Sequence, residues 1–392
     1  MVRFDAPCPM SVTNIGFVAV GGRGWMGGAN YVRHLAAAIR AAKPEATFQY
    51  LCGDTIREDW LDAEPRLEVP VKRNRWKRWL RIKAPPLRPV IEQSGVEFVY
   101  PITYDNRYNL GLDFPIDDQL EGVRWAGWIP DFQHEHLPEF FTADDIEFRR
   151  KSIAQLASEA RMLVFSSHSS LADFRRFYPG SSARVEVLRF AVTPFELPSD
   201  DSAVLGEVPS RFFLVCNQFW RHKNHKVVFE ALTILRDRGI TPHVLCTGLL
   251  HDYRNLAYAS EIETQLRDNQ LGSQVTLLGL ISRERQLALM RRAIAIVQPS
   301  LFEGWSTVVE DIRALGRPSL LSDLDVHEEQ NPPRARYFPR RDSEALANLM
   351  AEAWLSHPSG PDFEAEARAM GATRERLIAI GHELLNIAAH ER

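Results

Sequence analysis

Residues 298–330 read QPSLFEGWSTVVEDIRALGRPSLLSDLDVHEEQ, and this stretch decides the fold. The apolar run AIAIVQPS leads into it, a Gly-Trp-Ser-Thr turn follows, and VVEDIRALG then places apolar residues at helical spacing. That order is strand, tight loop, helix, the unit from which parallel sheets are assembled. A loop opening on a helix N-terminus gathers unpaired backbone N–H groups and a partial positive charge, which suits phosphate. Two carboxylates, Glu303 and Glu310, flank the turn, and carboxylates there accept hydrogen bonds from hydroxyls. The constellation therefore suits a ligand that carries both phosphate and sugar. Thr307-Val-Val-Glu310 also has the pattern of a capping box, with Thr307 as N-cap and Glu310 bonding back to it. Glu303 lies in the loop and has no helix to cap.

Working outward, apolar strand-like runs alternate with helical patterns in both halves of the chain. The first half gives NIGFVAV, ANYVRHLAAAIRAA, TFQYLC, VEFVYP, RWAGWIP, a helix from Ala143 onward, MLVFSS and VEVLRF. The second gives FFLVCNQ, KVVFEALTILRDRG, HVLCTG, EIETQLRDNQ, VTLLG and ERQLALMRRA before the opening stretch is reached. Alternation of this kind implies two doubly wound parallel sheets with right-handed crossovers. The Pro-, Ser- and Asp-rich segment TPFELPSDDSAVLGEVPS, Thr193 to Ser210, reads as the connection between them. The expected organisation is a first Rossmann-like domain over 1–195, a linker over 196–210, a second over 211–360, and a charged helical tail over 361–392. Ligands of open parallel sheets bind beyond the carboxyl ends of the strands, so two facing sheets predict an interdomain cleft.

The bulk numbers narrow the class. A chain of 392 residues with 45% hydrophobic and 25% charged residues fits two soluble domains. A formal net charge of −4 gives no global attraction to nucleic acid. The four cysteines, Cys8, Cys52, Cys216 and Cys246, show no CxxC pairing, a profile of a reducing compartment. The apolar run near the N-terminus is too short and too Gly-rich for a secretion signal, and no run approaches a membrane span. The expectation is a cytoplasmic protein.

Four further segments carry candidate chemistry. In Gly21-Gly22-Arg23-Gly24-Trp25-Met26-Gly27-Gly28, the glycines Gly22, Gly24 and Gly27 fit the dinucleotide pattern G-x-G-x-x-G. The acidic partner that pattern needs would be Asp54, which arrives late. In CNQFWRHKNHKVVFEAL, Cys216 to Leu232, the cations Arg221 and Lys223 sit where a strand gives way to a helix, a place to neutralise a diphosphate. His222 and His225 in the same segment lack a third metal ligand. In Trp128 to Pro138, WIPDFQHEHLP, the residues Asp131, His134 and His136 cluster without zinc-site spacing. Lys72 to Lys83, KRNRWKRWLRIK, has seven basic residues interleaved with Trp76 and Trp79. That pattern suits an anionic membrane surface, with nucleic acid as a weaker rival and a solvated loop as the plain alternative.

Three of these segments resemble the GT-B glycosyltransferases of family 4: 299–330, 216–226 and the WIPDFQH element within 128–138, with a weaker match at 21–28. The resemblance implies two Rossmann-like domains, a nucleotide-diphospho-sugar as substrate, transfer with retention, and no bound metal or cofactor. It implies that Glu303 and His134 contact the transferred sugar and that Lys223 contacts the departing diphosphate. It gives donor-binding roles to Gly22, Gly24, Asn217, Arg221, Gly304, Trp305, Ser306, Thr307 and Glu310, and an acceptor or supporting role to Asp131. Two departures stand out: six residues rather than the family's seven lie between Glu303 and Glu310, and the family's upstream Arg falls on Asn217. Asp323-Leu324-Asp325 has the form of the metal motif of a different glycosyltransferase fold, and here reads as a loop; His327 and Glu329 follow it. The expected acceptor is a saccharide or a lipid-linked glycan of bacterial polysaccharide synthesis, with Lys72–Lys83 as the membrane-surface contact and the tail packed on the first domain. A nucleotide-sugar epimerase, an NAD-dependent oxidoreductase built on the glycine loop, and a non-catalytic binding protein are the competing expectations.

Overall fold

The computed structural model describes residues 12–21, 26–53, 61, 64–69, 87–105, 116–195, 198, 200–252 and 254–390. Contacts divide the chain into two compact units. The first comprises Met1–Phe132, Glu147–Thr193 and Arg376–Arg392; the second comprises Gln133–Ile146 and Pro194–Glu375.

The first unit is built on seven parallel strands: β1 (Asn14–Val18), β2 (Thr47–Gly53), β3 (Arg66–Val69), β4 (Phe98–Thr103), β5 (Trp125–Ile129), β6 (Met162–Phe165) and β7 (Arg184–Val187). Their order is β3-β2-β1-β4-β5-β6-β7. The second unit has six: β8 (Phe213–Cys216), β9 (Val244–Thr247), β10 (Val275–Gly279), β11 (Ile296–Gln298), β12 (Ser319–Ser322) and β13 (Ala335–Phe338), in the order β10-β9-β8-β11-β12-β13. Every described strand pair is parallel. In each sheet the order turns about on either side of the first strand, between β1 and β4 and between β8 and β11. Such a switch point opens a crevice at the carboxyl edge, because the crossovers on its two sides cover opposite faces.

The second sheet shows why its strands are apolar without alternation. Phe213 and Val215 of β8 pack into one hydrophobic cluster, while Leu214 and Cys216 pack into another. Successive side chains point to opposite faces, so both faces are core and each must be apolar. Helices cover them: His225–Asp237 buries Val227, Val228, Ala231, Leu232 and Leu235 at helical spacing on the first face. Thr307–Leu315 buries Val309, Ile312 and Leu315 on the second.

The segment 193–210, read from composition as a linker, contains a turn of helix, Ser202–Leu205. It is anchored: Asp201, 1% exposed, accepts a hydrogen bond from Arg292 Nε at 2.7 Å, and Arg291 Nη1 lies 3.6 Å from its other oxygen. Strands β3 and β13 and the helices Arg88–Ser94 and Ser343–Ser356 are elements that the sequence patterns did not single out. No described helix is long and apolar enough to cross a membrane. The basic stretch Lys72–Lys83 lies outside the described residues.

The last helix, Phe363–His390, contributes to both units, changing allegiance after Glu375. In the first unit it is seated at Gly381, where an added Cβ would stand 2.1 Å from the carbonyl oxygen of Ala38 and 2.6 Å from Ala42 Cβ. Arg124 Nη1 also donates to the Ala388 carbonyl at 3.2 Å. Gly381→Ala is expected to destabilise the protein by about 1–3 kcal/mol, the usual cost of overpacking, read as a lower denaturation midpoint with unchanged slope.

Candidate functional site

β11 is fully buried and ends in Gln298, whose amide is inaccessible to solvent. A buried amide must satisfy its donors and acceptor, and here it does so across the switch point. Gln298 Oε1 accepts from Asn217 Nδ2 at 2.9 Å, and Asn217 is the residue at which β8 gives out. Gln298 Nε2 donates to Glu303 Oε1 at 2.9 Å and lies 3.2 Å from Ser306 Oγ. The two loops are stitched along their main chains as well. Leu301 N–H donates to His222 O at 2.7 Å, and Asn224 Nδ2 donates to Pro299 O at 3.2 Å and Arg340 O at 2.8 Å. Asn224 itself sits in the left-handed region, φ 56°, which lets the turn Arg221–Lys223 pass directly into the helix behind it. Beside it, Gly248 (φ 108°) brings β9's loop so close that a Cβ there would stand 2.3 Å from Asn217 O.

Glu303 is the centre of this arrangement. Its Oε1 receives Lys223 Nζ at 2.7 Å, Ser300 Oγ at 2.7 Å and Gln298 Nε2 at 2.9 Å. Among the described residues, no hydrogen bond ends on Oε2. The side chains are 9% exposed for Glu303 and 15% for Lys223. Burial, the largest single influence, would raise the carboxyl's pKa; the Lys223 charge and hydrogen bond, with His327 and Ser300, together outweigh it and hold the pKa below the usual carboxylate range, so the group is charged at neutral pH. The result is a fixed anion with one oxygen committed to the protein. His327 lies behind it, wholly buried, with Nδ1 3.0 Å from Ser322 O and Nε2 without a partner among the described residues. Burial lowers its pKa to about 4, so the imidazole is neutral.

Downstream, Gly304, Trp305 and Ser306 form the turn, and the helix begins at Thr307. The N-cap is Ser306, whose Oγ accepts from Val309 N, rather than Thr307 as the capping-box pattern implies. Glu310 is thereby one position too far along to bond back; it is 1% exposed and accepts from Gln330 Nε2 at 3.1 Å, with Arg313 Nε 3.6 Å away. Asp311, which has seven residues between it and Glu303, is also buried and is bound through both oxygens by Arg283, at 2.6 Å for the Nη1 bond. The Ser306 N–H donates to Gln330 Oε1 at 3.2 Å.

His134 counts with the second unit and Asp131 with the first. The His134 ring is wholly buried, set edge-on to Phe141, with Nε2 3.4 Å from Glu135 Oε1. Its segment is held against the other two loops. Arg254 donates to Gln133 Oε1 at 3.0 Å, lies 3.1 Å from His222 Nδ1 and covers the Phe141 ring. His136 and Phe302 place their ring centroids 5.1 Å apart. Thus His134, Lys223 and Glu303 belong to three loops in mutual contact. Arg221 turns elsewhere, to Glu261 Oε2 at 3.3 Å and the Phe140 ring. His225 stacks on Phe219 at 4.0 Å, and burial lowers its pKa to about 3, the behaviour of a core histidine.

Gly22 and Gly24 lie outside the described residues. Asp323 accepts from Arg340 Nε at 2.8 Å and from its N–H at 3.0 Å, which accounts for the Asp-x-Asp as a loop fastening. Among the described residues no three His, Cys, Asp or Glu side chains group to hold a metal ion. Gln298, Ser300, Arg254 and Gln330 escaped the sequence patterns; the available signal was a lone amide closing each of two buried segments.

Residues 200–370 match the family model described as Glycosyl transferases group 1. Over 123 residues the chain is 33% identical to the putative glycosyltransferase EpsF of Bacillus subtilis (strain 168), a match covering 31% of this chain and 28% of that protein. The match thus spans less than a third of that relative's length. Among solved structures, the sucrose-phosphate synthase of Thermosynechococcus elongatus has a TM-score of 0.66 at 17% identity, covering 96% of this chain and 98% of the other. Anabaena Alr3699/HepE in complex with UDP and glucose has a TM-score of 0.65 at 14% identity, covering 96% and 99%. The lipopolysaccharide outer core galactosyltransferase WaaB has a TM-score of 0.59 at 14% identity, covering 96% and 98%. The fold is GT-B, and residues 200–370 are a group 1 glycosyl transferase domain.

Removing the cation should expose what Glu303 costs alone. In Lys223→Ala, the main opposition to burial is removed and the carboxyl pKa rises, so at pH 7 the variant should lose about 3 kcal/mol of stability, the low end for breaking a buried pair. The wild type's Glu303 contribution, from a depressed pKa, is present at neutral pH and fades as pH falls through that pKa. The gap between the two proteins should therefore narrow as the pH falls below about 5, where the wild-type contribution fades, read by urea denaturation at each pH.

Proposed function

We propose that this chain, a group 1 glycosyl transferase domain on a GT-B frame, is a retaining, metal-independent glycosyltransferase. It moves a hexose-type sugar from a nucleotide-diphospho-sugar to a saccharide or lipid-linked acceptor in bacterial polysaccharide synthesis. The observation that carries the reading is the Glu303 carboxylate, charged and fixed through one oxygen, beside a lysine at the switch point of the second sheet. A carboxylate so held accepts hydrogen bonds from sugar hydroxyls, and the lysine meets the charge of a diphosphate.

Lys223 has three N–H donors, so its ammonium can keep Glu303 while reaching a diphosphate oxygen. The bond that breaks joins the anomeric carbon to the diphosphate oxygen, and negative charge accumulates on that oxygen as it leaves. Lys223 and the N–H groups at the start of the helix Thr307–Leu315 face that charge. Glu303 and His134 orient the sugar. The acceptor oxygen bonds to the anomeric carbon on the face the diphosphate leaves, and its proton passes to a donor phosphate oxygen. Glu310 takes the ribose hydroxyls, since Asp311 has both oxygens bound by Arg283. The relative from Bacillus subtilis and the galactosyltransferase WaaB, by their names, support the general class of reaction.

Thermal unfolding with UDP, GDP, ADP, dTDP or NAD, each with EDTA or magnesium, tests the reading. A ligand at one hundred times its dissociation constant adds about 2.7 kcal/mol, a shift of degrees. One nucleoside diphosphate is expected to raise the midpoint equally with EDTA and magnesium; a shift with NAD alone would overturn the proposal. Glu303→Ala is expected to lose transfer by about 100-fold or more while keeping nucleotide affinity, and Lys223→Ala to lose both. Unchanged turnover removes the residue concerned from the mechanism.

A further inference from the structure

Gln330 closes the short helix Asp325–Gln330 and is 2% exposed. Its Oε1 accepts the Ser306 N–H at 3.2 Å, and its Nε2 donates to the Ser306 carbonyl at 3.0 Å. A side-chain amide thus pairs with one residue's main chain in both directions, as a neighbouring strand would. Its remaining N–H reaches Glu310 Oε1 at 3.1 Å. Ser306 is meanwhile held through its hydroxyl by Gln298, the amide that also orients Glu303. The turn between the two glutamates is therefore pinned at its main chain by one buried amide and at its side chain by another.

We propose that Gln330 is a positioning residue for nucleotide binding: it fixes the Ser306 peptide and aims the Glu310 carboxylate, so that the donor-side turn is already formed before a nucleoside diphosphate arrives. The inference rests on the transferase reading and adds to it a residue that touches no substrate. The chemistry of the side chain supports the role. Glu310 is a buried carboxylate and needs a donor, and a neutral amide supplies one without cancelling the charge that ribose hydroxyls would meet. A lysine at the same place would satisfy the carboxylate but could not accept the Ser306 N–H. A leucine would leave that N–H and carbonyl without this partner and take one donor from the carboxylate. Only an amide meets all three demands at once. A turn held in its bound shape spares the ligand the entropy of ordering it, which is where the affinity comes from.

The experiment joins hydrogen exchange of the 303–310 peptide with calorimetric binding of UDP, GDP, ADP and dTDP, in wild type and variants. Gln330→Ala is expected to speed exchange in that peptide about tenfold and to weaken the nucleotide that binds wild type about tenfold, as for one lost buried hydrogen-bond set. In a Glu310→Ala background the same change should weaken binding by less than it does in wild type, since a residue acting partly through another leaves a non-additive cycle. Gln330→Glu keeps the acceptor for Ser306 but sets two carboxylates together. Its affinity should recover as pH falls from 8 to 6 and the pair takes up a shared proton, with wild type flat over that range. That pH profile carries the test if Gln330→Ala does not fold. Exchange and affinity like wild type in Gln330→Ala, additive losses in the double variant, or a flat profile for Gln330→Glu would each overturn the proposal. If wild type binds none of the four nucleotides, the transferase reading falls instead, and faster exchange in Gln330→Ala still establishes the pinned turn.

Discussion

A carboxylate with three donors on one oxygen governs the second unit. Lys223 is the chief group opposing the burial of the Glu303 charge, and it could not reach that carboxylate unless the loops after β8 and β11 stood side by side. That adjacency is a property of strand order. With β8 and β11 as neighbours on opposite sides of the switch point, their following loops share the carboxyl edge and no crossover helix intrudes. The polar residues that then fill the gap, Asn217, Gln298 and Ser300, each answer a need created by burial, since an amide or hydroxyl enclosed there must find a partner. The ion pair is accordingly a poor candidate for added stability and a good one for fixed geometry, because desolvation consumes most of what the charges gain.

The arrangement also separates jobs that sequence motifs tend to merge. Cations around 221–226 look alike in one dimension, yet they divide in space. Lys223 serves the carboxylate, while Arg221 and Lys226 share Glu261. The acidic pair at 310–311 divides likewise, Glu310 going to the Gln330 amide with Arg313 3.6 Å away and Asp311 to the Arg283 guanidinium through both oxygens. Helical geometry sends adjacent residues about 100° apart, so the two carboxylates meet different partners.

Much of this was legible beforehand, for reasons that are physical. Strands buried on both faces write continuous apolar runs, so β1, β8 and β11 were plain in NIGFVAV, FFLVCNQ and AIAIVQPS. Glu303 was legible because a glutamate in a Gly-Trp turn has no local structural task. The N-cap was misplaced by one residue because Ser306 and Thr307 are both good caps, and only tertiary contact from Gln330 to the Ser306 main chain decides between them. Edge strands such as β3 and β13 are short and mix charge with apolar residues, RLEV and ARYF, so no periodicity marks them. Gln298 and Gln330 were hidden for a different reason: an amide's role lies wholly in what it bonds to, and those partners are fixed by the assembled fold.

The seat of Gly381 on Ala38 bears on how the chain is made. The two residues are 343 positions apart, and the residues from Arg376 onward count with the unit that begins at the other end of the sequence. A ribosome delivers the seven strands of that unit long before it delivers the helix that completes its packing. The surface around Ala38 and Ala42 must wait uncovered while the whole second unit is synthesised, and contacts so distant along the chain form late. A nascent chain that has not yet reached Arg376 would therefore carry an unfinished first unit, with the surface around Ala38 and Ala42 still uncovered.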